Sequence, residues 1–220
     1  MRDMGLFGIT IPVEYGGLGL DHTTFAMIFE ELSKGWMSVS GIIGTHHVLA
    51  HIVADSGTAA QKERFLPRQA SGELRGGLAL TESEAGSDVQ NIQTRATKDG
   101  EEYVINGSKM FITNAVEAGT YVVLASHDFE LRTRGIDALV VEGDSDGITV
   151  NQLHGQMGIR ASPTAEVVFE DCPVPEEIGL GRRRRGLVRD DGGAEHQAHH
   201  HRRTVRRHRP GGLRGCGAVR

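Results

Sequence analysis

The sequence is poor in aromatic residues and in cysteine. Aromatic residues make up 5% of its 220 residues, with one tryptophan, Trp36, and two cysteines, Cys172 and Cys216. The cysteines have neither metal-type nor redox-type spacing, which favours a reducing compartment. No apolar run approaches the length that crosses a bilayer, and the N-terminus lacks a signal-peptide pattern. We therefore expect a soluble cytoplasmic protein without a membrane partner.

Charge is distributed unevenly along the chain. Residues 182–220 carry twelve Arg and three acidic residues, a net charge of +9, whereas residues 1–181 carry −14. The tail has no Lys, Ile, Met or aromatic residue and cannot bury a core. Three interpretations are open: a basic arm for nucleic acid, a metal-binding tract around the histidines at 196–201, or a reading frame that slipped near Gly181. The slipped frame is preferred, so no nucleic acid partner is expected.

Residues 1–75 are predicted to form a helical domain. An entry loop, IPVEYGGLGL, precedes a stripe of apolar residues at helical spacing: Phe25, Ile28, Phe29 and Leu32. Gly35 is expected to end this helix, and a second helix is predicted from Val39 to near Gly57. Thr58 and Gln61 have the form of a capping box for a third. The single tryptophan is expected to anchor the core at a helix end.

From Gly77 onward, the spacing of apolar residues changes from that of a helix to that of a strand. Eight short runs are predicted strands: LALT, TRAT, EYVI, KMFIT, YVVLAS, DALVVE, GITV and AEVVFE. Asp99-Gly100 and Asn106-Gly107 are each predicted to join a hairpin. The fold class expected is thus a helical N-terminal domain, then an antiparallel β-barrel or sandwich over residues 76–178, then a disordered or frameshifted basic tail over residues 179–220.

Two segments concentrate hydroxyl groups where strands are predicted to end. LTESEAGSD, residues 80–88, offers Thr81 and Ser87 beside a turn at Gly86, and KMFITN offers Phe111 with Thr113. A planar ring with a polar edge, held between the two segments, would use all of these groups. The alternative is that the threonines only satisfy the backbone at strand ends, which spacing alone favours.

Four blocks resemble the acyl-CoA dehydrogenase family: LFGITIPVEYGGLGLD, ALTESEAGSD, INGSKMFITN and GIRASPTAEVVFEDCPVP, in the family's order and spacing. The resemblance covers about residues 4–181. It implies FAD as cofactor, lying between the middle barrel and a C-terminal helical domain. The site residues that it implies for FAD are Leu78, Ala79, Leu80, Thr81, Gly86, Ser87, Phe111, Ile112 and Thr113. Ser87 would also contact the acyl-CoA.

The sequence departs from the family pattern at three positions. Family members often have Trp where this chain has Phe111, a very small residue where it has Asn91, and a serine contacting CoA where it has His127. Phe111 keeps a flat face for stacking but lacks an indole N–H. The Asn91 and His127 departures leave the acyl substrate undefined.

The implied reaction is α,β-dehydrogenation of an acyl-CoA thioester, with electrons passed to an electron-transfer flavoprotein by a homo-oligomeric enzyme. The family's catalytic glutamate belongs to the C-terminal domain, which this sequence does not reach, so no catalytic residue is assigned. Glu82 and Glu84 lie in the segment of residues 80–88 that the resemblance assigns to flavin binding, but they are expected to be solvated. The alternatives are a truncated, inactive fragment and, less favoured, a basic-tailed nucleic-acid-binding protein.

Other residues suited to chemistry are given structural roles. His47 and His51 have the i, i+4 spacing of zinc ligands, but no third ligand or H-E-x-x-H pattern accompanies them. They and His46 are therefore assigned to packing or to the surface, and no metal site is expected. Arg160, in the GIRAS block, is assigned a structural role.

Overall fold

The computed structural model of the chain describes residues 1–180. The disordered or frameshifted tail was predicted from residue 179, but residues 179 and 180 form a short strand. Our interpretations of the tail from residue 181 onward lie outside the described residues. The two helices are α1 (His22–Ser56) and α2 (Ala59–Ala70). The strands are β1 (Gly76–Ala79), β2 (Arg95–Asp99), β3 (Glu102–Thr113), β4 (Thr120–Ser126), β5 (Ile136–Glu142), β6 (Ile148–Gln152), β7 (Thr164–Pro175) and β8 (Gly179–Leu180). Short 3-10 helices occur at Val13–Tyr15, Val89–Asn91, Ala115–Glu117, Phe129–Gly135 and Glu176–Ile178.

Helix α1 contains the two helices predicted before residue 57, joined across a kink. Its N-terminus is capped by Asp21, whose carboxylate accepts a hydrogen bond from the Thr24 N–H at 2.8 Å. The interruption falls at Trp36 (φ −160°, ψ 101°), next to the predicted stop at Gly35. Trp36 is 61% exposed, so the prediction of a core anchor is wrong. The kink places this side chain on the surface.

Helix α2 begins with the predicted capping box. The Thr58 hydroxyl accepts from the Gln61 N–H, and the Gln61 side chain accepts from the Thr58 N–H. Pro67 lies inside the helix, which ends at Ala70. The Gln61 amide also donates to the carbonyls of Glu177 and Gly179, at 2.7 and 3.0 Å. The cap residue therefore ties α2 to the end of the described chain.

The strands form one mixed sheet in the order β6-β7-β3-β2-β4-β5-β8, with β1 paired to β4. Most neighbouring strands are antiparallel, as predicted, but β1 runs parallel to β4, and β2 pairs with β4 in parallel through Arg95 and Ser126. The helical domain followed by a β domain is confirmed. The parallel pairing joins β1, which follows the helices, to the middle of the sheet.

Of the two predicted hairpins, one forms. Asp99 and Glu102 pair across the β2–β3 turn, where Gly100 has a φ of +61°. The Asn106-Gly107 hairpin is wrong, because β3 runs continuously through both residues. There the partner strand β7 carries one extra residue, and Asn106 binds Asp171 through two hydrogen bonds of 2.9 and 3.0 Å. Asn106 therefore supports a bulge in β7.

One large apolar core joins the sheet to α2 and to the second half of α1. A smaller cluster, Leu6, Ile9 and Ile43, lies under the N-terminal loop. By length and composition alone, α1 would be long enough to cross a membrane, contrary to our expectation from the sequence. Within this fold its residues Leu49 and Val53 are fully buried in the large core.

Candidate functional site

The first site segment is the end of β1 and the loop that follows it. Leu78 and Leu80 are half-buried, whereas Ala79 is fully buried in the core. The chain then makes a tight turn, in which the Glu82 N–H donates to the Ala85 carbonyl at 2.8 Å. Gly86 and Ser87 are exposed beyond this turn. The loop thus presents a hydroxyl and main-chain groups at the surface, next to a buried strand.

The second segment is a bulge in β3. Lys109 pairs with Val167 and Ile112 with Ala165, so β3 carries one more residue than β7 in this interval. Within the bulge, Phe111 has a φ of +61° and is 62% exposed. A positive φ costs a bulky residue about 1–2 kcal/mol. Strain of this kind concentrates at functional sites, so we take the exposed ring as a contact surface.

The two segments are directly bonded to each other. The Met110 N–H, within the β3 bulge, donates to the Thr81 carbonyl at 2.8 Å. Thr81 and Thr113 are both half-buried, and Thr113 pairs with Thr164 of β7. The structure therefore brings the two predicted segments together at one edge of β3. It does not place Thr81 and Thr113 in separate cores.

A buried ion pair lies beside this junction. Lys109 Nζ is 2.7 Å from Glu82 Oε1, with the lysine side chain fully buried and the glutamate side chain 6% exposed. Glu82 also accepts hydrogen bonds from the Gln93 N–H, the Thr94 N–H and the Thr94 hydroxyl. The prediction that Glu82 is solvated is wrong, because four donors surround its carboxylate. Glu84 is exposed, as predicted.

Both pKa values of this pair are lowered, for different reasons. Burial alone would raise the pKa of Glu82, but the hydrogen bonds from Gln93, Lys109 and Thr94 outweigh burial and hold it below the ordinary value. Burial lowers the pKa of Lys109, and Glu82 partly offsets that effect. Glu82 is therefore ionised at neutral pH, and its charge is used by this internal network.

The sequence contained a signal for the pair that we did not use. Tyr103, Ile105 and Lys109 are separated by even numbers of residues on β3, and all three are buried. A lysine on the buried side of a strand requires a carboxylate partner, because an unpaired buried charge is very costly. The other site segment holds three acidic residues, Glu82, Glu84 and Asp88. Combining these observations would have predicted that one of them contacts Lys109.

Three hydroxyl groups of the predicted site are available to a ligand. Within residues 1–180, the side chains of Thr81, Ser87 and Thr113 make no hydrogen bond. Together with the exposed ring of Phe111, they offer donors and acceptors beside a flat apolar face. This combination fits a planar heterocycle with a polar edge, such as the isoalloxazine ring of FAD. Ala79 and Ile112 are 0% and 2% exposed, so neither residue offers a ligand a contact surface in this structure.

Two of the four histidines of α1, His46 and His47, have structural partners. Nε2 of His46 donates to the Phe7 carbonyl at 3.1 Å, and its Nδ1 accepts from the Gly76 N–H at 3.3 Å. His47 Nε2 lies 2.9 Å from the Leu6 carbonyl oxygen, and its Nδ1 lies 3.0 Å from the Thr10 hydroxyl. The bond from the Gly76 N–H requires a neutral His46 ring, and burial lowers the pKa of His47. No group of residues that could hold a metal ion occurs within the described part of the chain.

The remaining residues singled out in the sequence lie on the surface. Asn91 is exposed in a 3-10 helix, and exposed His127 contacts the Asp137 carboxylate at 2.7 Å. Arg160 is exposed, and its Nε donates to the Gln156 carbonyl at 2.9 Å. This local contact is consistent with the structural role assigned to Arg160.

Comparison with known proteins gives two family matches. The sequence model of the acyl-CoA dehydrogenase N-terminal domain matches residues 1–73, and that of the acyl-CoA dehydrogenase middle domain matches residues 77–172. A mitochondrial isovaleryl-CoA dehydrogenase of Arabidopsis thaliana is 42% identical over 85% of this chain, which covers 46% of that protein. The chain therefore spans about half the length of the relatives it matches.

Solved structures show the same fold. A chain from the electron transferring flavoprotein study of Acidaminococcus fermentans is 40% identical, with a TM-score of 0.80 over 83% of this chain and 48% of that one. An acyl-CoA dehydrogenase of Bacillus anthracis complexed with FAD is 35% identical, with a TM-score of 0.76 over 82% of this chain and 31% of that one. These matches support FAD as the cofactor.

Proposed function

The chain belongs to the acyl-CoA dehydrogenase family, and on this premise we propose that it serves flavin-dependent α,β-dehydrogenation of an acyl-CoA thioester. The observation that carries the proposal is the junction of the β1 end with the β3 bulge. There Phe111 is exposed at a strained backbone position, and the Met110 N–H binds the Thr81 carbonyl. A strained aromatic residue beside unpartnered hydroxyls fits a flavin.

Each site residue has a distinct task in this proposal. The Phe111 ring covers part of the flavin ring face, and the Thr81 and Thr113 hydroxyls bind its polar edge. The exposed Ser87 hydroxyl serves the pyrophosphate or the acyl-CoA. When bound, FAD would supply the redox chemistry at the substrate β-carbon, and the protein supplies orientation and electrostatics.

Removal of the substrate α-proton needs a base that these segments do not offer. Glu82 is ionised but already accepts from Lys109 and the two groups of Thr94. Glu84 is exposed on the loop. This observation favours a second candidate function, in which the 220-residue chain binds flavin or CoA without catalysing dehydrogenation.

Partners and location are further parts of the proposal. We propose an acyl-CoA thioester as the substrate and an electron-transfer flavoprotein as the electron acceptor. The similarity to the chain from Acidaminococcus fermentans supports an electron-transfer partner. We also propose a homo-oligomer, on the basis of the family resemblance alone. We propose a cytoplasmic location because the spacing of the two cysteines favours a reducing compartment.

Flavin binding by the purified chain tests the proposal. Fluorescence anisotropy of FAD titrated with the chain is expected to show saturable binding. Phe111→Ala should weaken it about 10-fold, or ~1.4 kcal/mol, since stacking on the ring is lost. Phe129→Ala removes another exposed ring, one that stacks on Arg95, and should leave the affinity unchanged.

The outcomes separate the two functions. Bleaching of bound flavin by isovaleryl-CoA or butyryl-CoA without oxygen would show dehydrogenation by this chain. Binding without bleaching would favour the non-catalytic candidate. If the folded chain does not bind FAD, the proposed function is wrong. If Phe111→Ala and Phe129→Ala weaken binding equally, the site has been placed incorrectly.

A further inference from the structure

The Lys109–Glu82 pair contacts three separate pieces of the chain. Lys109 Nζ donates to Glu82 Oε1 at 2.7 Å and to the Leu80 carbonyl at 3.2 Å. The Glu82 carboxylate receives the N–H groups of Gln93 and Thr94, at the entrance to β2. One pair of charges thus joins the end of β1, the start of β2 and the middle of β3. No other ion pair between the described residues is as deeply buried.

Lys109 and the Leu80 carbonyl that it binds each lie next to a ligand-facing segment in the chain. Leu80, which Lys109 binds, precedes Thr81, and Lys109 itself precedes the Met110–Phe111 bulge. The Met110 N–H binds the Thr81 carbonyl at 2.8 Å. The hydrogen bond from Lys109 to the Leu80 carbonyl therefore fixes the position and direction of the residue that follows each of them, Thr81 and Met110.

Stability alone is a poor explanation for such a pair. Apolar residues of similar volume often replace a buried ion pair at no cost in stability, because burying two charges is itself expensive. The pair also lies beside a residue held at positive φ, a conformation that persists only when surrounding contacts impose it. Both observations point to a geometric role.

We propose that Lys109 and Glu82 are positioning residues, which hold the Thr81 loop against the β3 bulge so that Phe111 stays exposed to the flavin. The proposal rests on the proposed function, because it concerns the same site. Neither residue touches the ligand in this assignment. Their effect is transmitted through Leu80 and Met110.

Two variants test the proposal in the full 220-residue chain. Lys109→Met removes the lysine donors but leaves Glu82 with its three donors from Gln93 and Thr94. Glu82→Gln/Lys109→Met removes both charges, so it provides a folded variant if the single change unfolds the chain. Lys98→Met is the matched control, since Lys98 also pairs with a glutamate, Glu176, but lies on β2 away from the bulge.

The first readout needs no cofactor. Hydrogen exchange of the Met110 amide, followed by NMR, reports the bond to Thr81, and exchange of the Val122 amide in β4 reports global opening. In both Lys109 variants we expect Met110 exchange to accelerate about 10-fold relative to Val122, because the local bond opens without global unfolding. Lys98→Met should leave this ratio within about twofold. Equal acceleration of both amides would show a structural role only and would overturn the proposal.

The second readout is flavin binding under conditions where each variant is fully folded by circular dichroism. Both Lys109 variants are expected to bind FAD about 10-fold more weakly and to shift the visible absorption band of the bound flavin. Unchanged affinity and spectrum, with the original chain binding FAD, would overturn the positioning role and leave the proposed function intact. Failure of the original chain to bind FAD would instead overturn the proposed function, while the Met110 exchange result still decides whether the pair fixes the junction.

Discussion

Different interactions stabilise the β-sheet and the N-terminal layer, which comprises residues 1–47. The sheet is stabilised by apolar burial: β4 is buried at all seven positions, and residues of β3, β5 and β7 complete the same core. The N-terminal layer has its own buried cluster of three residues, with Phe7 and Ile11 also buried, and its loop is bound to α1 through His46 and His47. Stabilisation by apolar burial does not depend on pH, whereas the hydrogen bonds of neutral histidines are lost when acid protonates the rings.

This difference matters because the candidate site lies where the two regions meet. Asn114, directly after the second site segment, donates through its side-chain amide to the carbonyls of Ile42 in α1 and Gly76 in β1. A change in the N-terminal layer can therefore reach the end of β3. We expect the sheet to determine whether the chain folds, and the polar contacts to determine how α1 is attached to it.

The largest expected effect comes from the core of the sheet. Phe169→Ala removes a ring that is 1% exposed and should destabilise the chain by about 3–5 kcal/mol, from lost burial and the cavity left behind. Phe29→Ala, at a half-buried ring of the N-terminal layer, is the matched change and should cost about 1–2 kcal/mol. Urea unfolding followed by circular dichroism measures both. Equal costs would contradict the contrast between the two regions.

The next effect is the response of the N-terminal layer to acid. Burial, with a smaller contribution from neighbouring His47, lowers the pKa of His46 from 6.5 to about 4, and Arg75 also lowers it slightly. Because the unfolded chain binds the proton more tightly, protonation favours unfolding. The stability that neutral His46 provides is complete above pH 6.5 and is lost as pH falls to about 4. The total loss is about 3 kcal/mol.

The acid effect is measured by urea unfolding at several pH values between 7 and 4. His46→Gln keeps a side-chain amide that can donate to the Phe7 carbonyl but has no titrating ring. This variant should be less stable at pH 7 and show a shallower decline toward pH 4. His47, whose pKa is also lowered by burial, and Glu82, whose pKa is lowered by its hydrogen bonds despite burial, contribute to the slope that remains. An equally steep decline in His46→Gln would show that His46 is not the acid-sensitive contact.

Patterns of local spacing predicted most of the fold. The capping box at Thr58 and the Gly100 turn were correct, because each depends on neighbouring residues. Each predicted strand run lies wholly or partly in a strand, but EYVI and KMFIT form the single strand β3, and β8 was not predicted. The Asn106-Gly107 hairpin was wrong because the same dipeptide can also support a bulge, and the choice depends on Asp171, 65 residues away. The segments of the candidate site were found as motifs. Their bond, from Met110 to Thr81, depends on how the strands are arranged and is not encoded locally.

Long-range polar contacts were the hardest features to predict. The sequence placed His46 in a structural role but did not indicate Phe7 and Gly76 as its partners. Glu82 was assigned to solvent because acids beside turns are usually exposed, whereas Lys109 required a buried carboxylate. The error over Trp36 is of another kind. Large aromatic residues are usually buried, but the kink at this residue places it outside.

The smallest expected effect is at Trp36, and it tests the exposed side of the N-terminal layer. Trp36→Ala should change stability by less than about 0.5 kcal/mol, since surface substitutions away from special features usually do. Trp36 is the only tryptophan, so its fluorescence reports this position alone. We expect red-shifted emission that iodide quenches and that urea barely changes. Blue-shifted emission that moves to the red on unfolding would mean that this surface is covered in solution. The N-terminal layer would then be stabilised by apolar burial, as the sheet is.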